Sequence, residues 1–350
     1  MPKASPQKPR KAPTRRKSSR VRIEEVAKLA GVSVMTVSRA INNPDAVSAE
    51  KRAAIQDAIK KTGYVPNLMA GSLRANKSKI IAVLTPLIKT SVFADIVQGM
   101  SDVLDKEGYQ ILIGSTAYSL EREEQLVRAF LGRRVDGVVM AGVTHTEETR
   151  KMLQSEDIAV IETVDLAERP IDMTVGCSTF NAASDVARYL TDMGYKNIGM
   201  ITPPAELAER VRPRTEGFVS GLRDAGAPLD KDRQFETIEL SMSAGAKALE
   251  RLLQKQPDTD AVFCTADTLA IGAILACQRN GWDAPGRIAV VGFGDIEIAA
   301  DISPSLTTIR IKGYEIGQMS AKLLLKKLHG EKIDDPYCDI GYELIRRESA

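Results

Sequence analysis

Along the first sixty positions, apolar residues recur with a helical period. Ile23, Val26, Ala27 and Ala30 fall at i, i+3, i+4 and i+7, one stripe, and Gly31 follows where a left-handed residue can end a helix. Ser33 is placed to cap a second helix carrying Val37, Ala40 and Ile41 on one side. Ser48 is placed to cap a third, in which Ala54, Ile55, Ala58 and Ile59 repeat the stripe up to Gly63. Three short helices with a tight turn between the first two predict a helix-turn-helix unit over 21–66, its second helix aimed outward. The connecting segment within 67–78 contains LMAGSLRA, a helix of about two turns that is too short to be stable alone and is predicted to fold only against another surface.

From residue 79 the pattern changes. The apolar runs IIAVLTP, YQILIG, DGVVMAG, IAVIE, NIGMITP, FETIEL, DAVFCT, RIAVVGFG and LTTIRI are separated by amphipathic stretches near 93–106, 120–132, 147–154, 181–193, 214–225, 243–255, 267–280 and 313–329, with a last short strand near 342–345. Short strands alternating with helices of this length predict parallel sheets with crossover helices. So many strands exceed one ordinary sheet, which predicts two doubly wound lobes. The fold class expected is therefore α/β, with an all-α head in front of it. The expected division of 79–350 is 79–178 with 305–325 as one lobe, and 179–304 with 326–350 as the other. Ligands of such sheets sit outside the carboxyl ends of the strands, which directs attention to a cleft between the lobes.

Charge sharpens the division. Residues 1–79 hold 18 Lys+Arg against 5 Asp+Glu, net +13, and residues 80–350 hold 30 against 41, net −11. A basic head on an acidic body is the distribution expected when only the head meets a polyanion. Residues 1–20 combine Pro, Ser and eight basic residues without an apolar face and are expected to be a disordered tail. No run of about eighteen apolar residues occurs, and the first twenty lack the apolar middle of a secretory signal, so a cytoplasmic location without membrane insertion is expected. The four cysteines show no CxxC spacing and there are two histidines, so neither a metal site, a disulfide framework nor a cofactor is expected. No P-loop, no G-x-G-x-x-G after a strand and no nucleophile–histidine set is present, which argues against an enzyme.

The order IEEVAKLAGVS-VMTVSRAIN, VSAEKR, GYVPNLMAGSL, DGVV, IGMI, FCTADTLAIGA, VVGF and SPSLTTI, spread over about residues 21–346, resembles bacterial transcription regulators of the lactose-repressor type, the LacI/GalR family. Within it, VFADIVQGM, THTEETRKML and AVFCTADTLAIGAILACQRNG lie nearest the gluconate and idonate operon repressors. The resemblance implies a hinge helix and a body of periplasmic-binding-protein type. It also implies a homodimer on palindromic double-stranded operator DNA, located in the cytoplasm at the nucleoid, and a small-molecule effector.

On that resemblance Val34, Met35 and Arg39 are the base-contacting positions of the second helix. An apolar pair there suits thymine methyls, and an arginine one turn on suits guanine. Thr36, Ser38 and Asn42 are expected on phosphates. In the hinge, Leu73 is the minor-groove wedge, Ala70 allows two hinge helices to approach closely, and Asn67 opens the segment. For the effector the resemblance points to Arg214 in RPRTEGF and to Asp267 after FCTA, with Asp295 as a further candidate. Ser91, Phe93, Thr144, His145 and Glu162 are expected at strand carboxyl ends of the first lobe. An arginine and an aspartate facing one cleft suit a polyol with an anionic end, an aldonate such as gluconate. A neutral sugar or nucleobase effector, or a sugar-binding receptor without DNA function, are the alternatives.

Overall fold

Helices form on the three stripes at the front of the chain: α1 (Ile23–Leu29), α2 (Val34–Asn42) and α3 (Ala49–Thr62). The computed structural model describes residues 21–65, 78–88, 91–156, 158–204 and 207–350, in two units divided after Ser78. In the first unit α1 ends as predicted. Gly31 has φ +66°, its N–H donates to the Lys28 carbonyl (3.4 Å), and the Val32 N–H donates to the Ala27 carbonyl (3.0 Å). This pairing satisfies two carbonyls that the helix end would leave bare. Ser33 Oγ then accepts from the Thr36 N–H (3.2 Å) and caps α2. Ser48 precedes α3 but makes no side-chain cap bond, contrary to expectation; only its carbonyl enters the helix, accepting from the Arg52 N–H (2.9 Å). Val26, Ala27, Val37, Ala40, Val47, Ile55 and Ala58 form the buried core, while Ala54 lies exposed, so the stripe of α3 is narrower than the sequence pattern.

The second unit contains two six-stranded sheets. The first has the spatial order β11 (Tyr337–Asp339), β5 (Met173–Gly176), β4 (Ala159–Val164), β3 (Gly137–Ala141), β1 (Ile80–Thr85) and β2 (Gln110–Ser115), all parallel. The second has the order β12 (Tyr342–Ile345), β10 (Thr307–Ile311), β9 (Ala289–Gly294), β8 (Ala261–Cys264), β6 (Ile198–Thr202) and β7 (Gln234–Glu236), parallel except for β12 against β10. Every residue of β3 and β8 is buried, the reason their sequences read as unbroken apolar runs rather than alternating ones. Nine helices of this unit are described: α4 (Ser91–Leu104), α5 (Leu120–Leu131), α6 (Glu147–Ser155), α7 (Thr179–Asp192), α8 (Ala208–Asp224), α9 (Met242–Lys255), α10 (Asp267–Asn280), α11 (Ile298–Asp301) and α12 (Gly313–Leu328).

Helices α4 and α12 pack so closely that a Cβ on Gly99 would come 2.2 Å from the Tyr314 carbonyl oxygen, and one on Gly317 2.1 Å from that of Ile96. α12 thus belongs with the first sheet, as expected, but β10 does not. The division by chain order, with 305–325 in one lobe and 326–350 in the other, is corrected here. β10 pairs with β9 in the second sheet, β11 with β5 in the first, and β12 with β10 in the second. The chain therefore passes between the sheets after β5, after β10 and after β11. Among the described residues no helix is long and apolar enough to cross a membrane, and no group of His, Cys, Asp or Glu is placed to hold a metal ion. The four cysteines are free thiols.

Candidate functional site

The first turn of α2 presents an apolar pair outward. Val34 is 40% and Met35 71% exposed, while Val37 and Ala40 on the opposite side enter the core. Packing of Val34 or Met35 inside the head is thereby excluded. Arg39 is exposed one turn later, and Thr36 and Ser38 are half-buried. The Thr36 hydroxyl lies 2.8 Å from Ser33 Oγ, so it supports the cap while facing the same end of the helix. Asn42 closes the helix; its side chain lies outside the described part, as do Asn67, Ala70 and Leu73 altogether.

The cleft between the two sheets of the second unit is lined in one compartment by Phe93, Tyr118, Thr144, Asp165, Arg212 and Arg214. A second compartment adjoins it and is walled largely by apolar side chains, among them Leu207, Leu240, Phe293 and Ile296. Arg214 and Phe93 border both. The Arg214 guanidinium stacks on the Phe293 ring with its central carbon 4.2 Å from the centroid, and its Nη1 donates to the Thr265 carbonyl (3.1 Å). Its Nε has no hydrogen-bond partner among the described residues. Burial pulls the Arg214 pKa below its ordinary value, opposed first by the charge of Asp165. An arginine stays charged regardless, so this is a desolvated cation with a donor still to satisfy.

Asp165 follows β4 directly. It accepts from Thr179 Oγ1 (2.5 Å) and from the Thr179 N–H (3.3 Å), which ties the end of the first lobe's strand to the start of α7. Val164 beside it has φ +81°, and Ala117 and Tyr118 have φ +49° and +63°. Such values are costly for residues with a Cβ, outright strained for a β-branched one, and these three stand on the cleft or beside it, where strain commonly marks a binding site.

Several expected cleft residues are elsewhere. The His145 side chain is completely buried and Nδ1 lies 2.7 Å from Glu123 Oε1. Its Nε2 lies 3.4 Å from Glu162 Oε1, which is also 3.5 Å from Arg150. Glu162 Oε2 accepts from the Ile171 N–H (2.6 Å). His145 and Glu162 thus face each other inside the first lobe rather than the cleft, and His145 is equally not an exposed loop histidine. Ser91 is the first residue of α4 and does not line either compartment. Asp295 is engaged by Arg310 (2.6 Å) and Arg347 (2.7 Å) away from the cleft lining. Asp267 does border the second compartment, but at 2% exposure it accepts from Thr308 Oγ1 (2.6 Å) and from the Ile296 N–H (2.9 Å). Gly292 makes room for it, since a Cβ there would stand 2.2 Å from Asp267 Oδ1. It is not the N-cap of α10, a position held by Ala266. Burial raises the Asp267 pKa to about 6 despite these hydrogen bonds.

Two family models match the chain in sequence with its two units. One, for bacterial regulatory proteins of the lacI family, covers residues 22–67; the other, for periplasmic binding proteins and the sugar binding domain of the LacI family, covers 77–341. The chain belongs to the LacI family. Among curated relatives, the HTH-type transcriptional regulator GntR of Escherichia coli K12 is 32% identical over 328 residues, covering 94% of this chain and 98% of that protein. The HTH-type transcriptional regulator IdnR of the same organism is 30% identical over 330 residues, covering 94% and 98%. A crystal structure of a LacI-family transcriptional regulator from Silicibacter pomeroyi superposes with a TM-score of 0.88 at 31% identity, covering 94% of this chain and 99% of that one. The protein is accordingly a DNA-binding transcriptional regulator of the LacI family.

Within this LacI-family body the sequence reading missed Tyr118, Asp165 and Arg212. Ending the fourth strand at Glu162 placed the wrong acid at its carboxyl end; the strand runs to Val164, and Asp165 is the first residue beyond it. Arg212 was passed over because α8 was expected to begin at Arg214, whereas it starts at Ala208 and continues through Pro213.

Proposed function

We propose that the protein binds a palindromic operator as a homodimer and that an anionic sugar acid, an aldonate of the gluconate type, occupies the cleft and lowers operator affinity. The observation that carries the ligand class is the Arg214 guanidinium: buried at the cleft, stacked on Phe293, with Nε lacking a partner among the described residues. A carboxylate supplies the missing acceptor and the opposite charge together. Arg212 beside it adds a second cation, while Asp165, Thr144 and Tyr118 offer partners for sugar hydroxyls. The Phe293 face is already covered by Arg214, which disfavours a stacked nucleobase.

In the head, Val34 and Met35 read thymine methyls and Arg39 reads guanine, while Thr36, Ser38 and Asn42 set register on phosphates. Asn67, Ala70 and Leu73, outside the described residues, are assigned to the minor groove, with Leu73 as the apolar wedge. Moving such an equilibrium from 99% to 1% occupancy requires the effector to favour the released state by about 10⁴-fold, about 5.5 kcal/mol, shared between two clefts.

Calorimetric titration against gluconate, neutral sugars and purines tests the ligand class. Gluconate binds and Arg214→Ala weakens it about ten- to hundredfold, the range for removing a charge-assisted hydrogen bond of about 1.5–3 kcal/mol. Binding of neutral sugars alone would remove the aldonate from the account.

A further inference from the structure

A buried charge cluster of the first lobe lies against the loop that supplies Thr144 to the cleft. Between β3 and α6 that loop is fixed at both ends by hydrogen bonds. The Gly142 N–H donates to the Thr163 carbonyl (2.9 Å), and Thr146 Oγ1 caps α6 by accepting from the Thr149 N–H (3.0 Å). Val143 and Thr144 face the cleft. His145 faces the other way, and its Nδ1 lies within hydrogen-bond distance of Glu123 Oε1 (2.7 Å). The groups facing the imidazole come from three elements: Glu123 of α5 and Glu162 of β4 directly, and Arg150 of α6 through Glu162. Glu123 is 1% and Glu162 0% exposed.

We infer that His145 is a positioning residue for effector binding, holding the Gly142–Thr146 loop to helix α5 through Glu123 so that Thr144 stands in the cleft. The inference rests on the reading that the cleft takes the effector. With the imidazolium present, each of the two buried carboxylates faces a charged ring N–H. After deprotonation the ring's positive charge is gone and one of the two carboxylates loses its N–H partner. Burial by itself lowers the His145 pKa, but the two carboxylates outweigh it and hold the value above the ordinary one. The sign follows. A raised folded value makes the hold complete at low pH and loosens it as pH rises through the folded pKa.

The chain has two histidines, so in a His329→Gln background the His145 ring is the sole imidazole signal. Three readings on that full chain, from about pH 5.5 to 8.5 around the ordinary histidine value, test the inference: ring titration by NMR, hydrogen exchange of the 142–146 amides corrected for intrinsic rate, and gluconate affinity. The expected result is a ring pKa above the ordinary value, with loop exchange rising and gluconate affinity falling, each about tenfold, at the same midpoint. His145→Gln abolishes both steps, and Glu123→Gln moves the midpoint to lower pH. Loop exchange that ignores the ring titration, gluconate affinity that stays flat through it, or steps that persist in His145→Gln would overturn the inference. If gluconate binds at no pH while loop exchange still follows the ring, the positioning role stands and the aldonate reading is what fails.

Discussion

Asp267, expected at the effector, borders the cleft while the protein itself engages its carboxylate. Its carboxylate borders the cleft but is directed at Thr308 and the Ile296 amide, bracing α10 against β10 and the turn after β9. With a folded pKa of about 6 against an ordinary 3.8, the folded protein holds a proton between those values that the unfolded chain releases. Stability therefore falls as pH rises through that window, by about 3 kcal/mol once the group is ionised. Asp267→Asn removes this dependence: in urea denaturation from about pH 4 to 7.5, the stability of the variant relative to wild type rises with pH. A constant difference across the range would refute the assignment. At this scale the sequence was a partial guide. Val34, Met35 and Arg39 could be placed because one helical period decides which side each faces. Asp165 could not be placed, because shifting a strand end by two residues exchanges a buried glutamate for a cleft aspartate.

Elements were legible where their pattern was long. Helix α10 lies at the residues expected, because its uninterrupted run is bounded by Gly281. Strands β5 and β11, of four and three residues, went unread; each is a strand only because a neighbour pairs with it. The stretch expected near 214–225 extends back to Ala208, and α8 runs through Pro213. Glycines in helix interiors, unfavourable by propensity, mark close contacts that no periodicity reveals. At Gly317 the contact is with the Ile96 carbonyl, so Gly317→Ala forces α12 from α4 and destabilises the second unit by about 1–3 kcal/mol, the range for overpacking. A thermal melt of the variant checks this, and an unchanged transition would mean the two helices are less tightly joined than their spacing implies.

For the whole molecule, the alternation of strands and helices predicted two doubly wound lobes, and both sheets are present. What chain order could not reveal is the interleaving, in which β10 and β12 belong to the second lobe while α12 and β11 between them belong to the first. Three crossings join the lobes, so a ligand that draws the lobes together acts through all three segments at once. The net charge of +13 on residues 1–79 against −11 on the remainder keeps attraction to DNA in the head and leaves the body free to respond to its ligand. The central claim is that an anion held by Arg214 controls the grip of the head on its operator. It is tested most directly by measuring the affinity of the full chain for a duplex operator selected from random DNA, with and without gluconate, for wild type and Arg214→Ala. The account predicts that gluconate lowers wild-type operator affinity at least about tenfold and leaves that of the variant unchanged. Operator affinity indifferent to gluconate in the wild type, or equally responsive in Arg214→Ala, would contradict it.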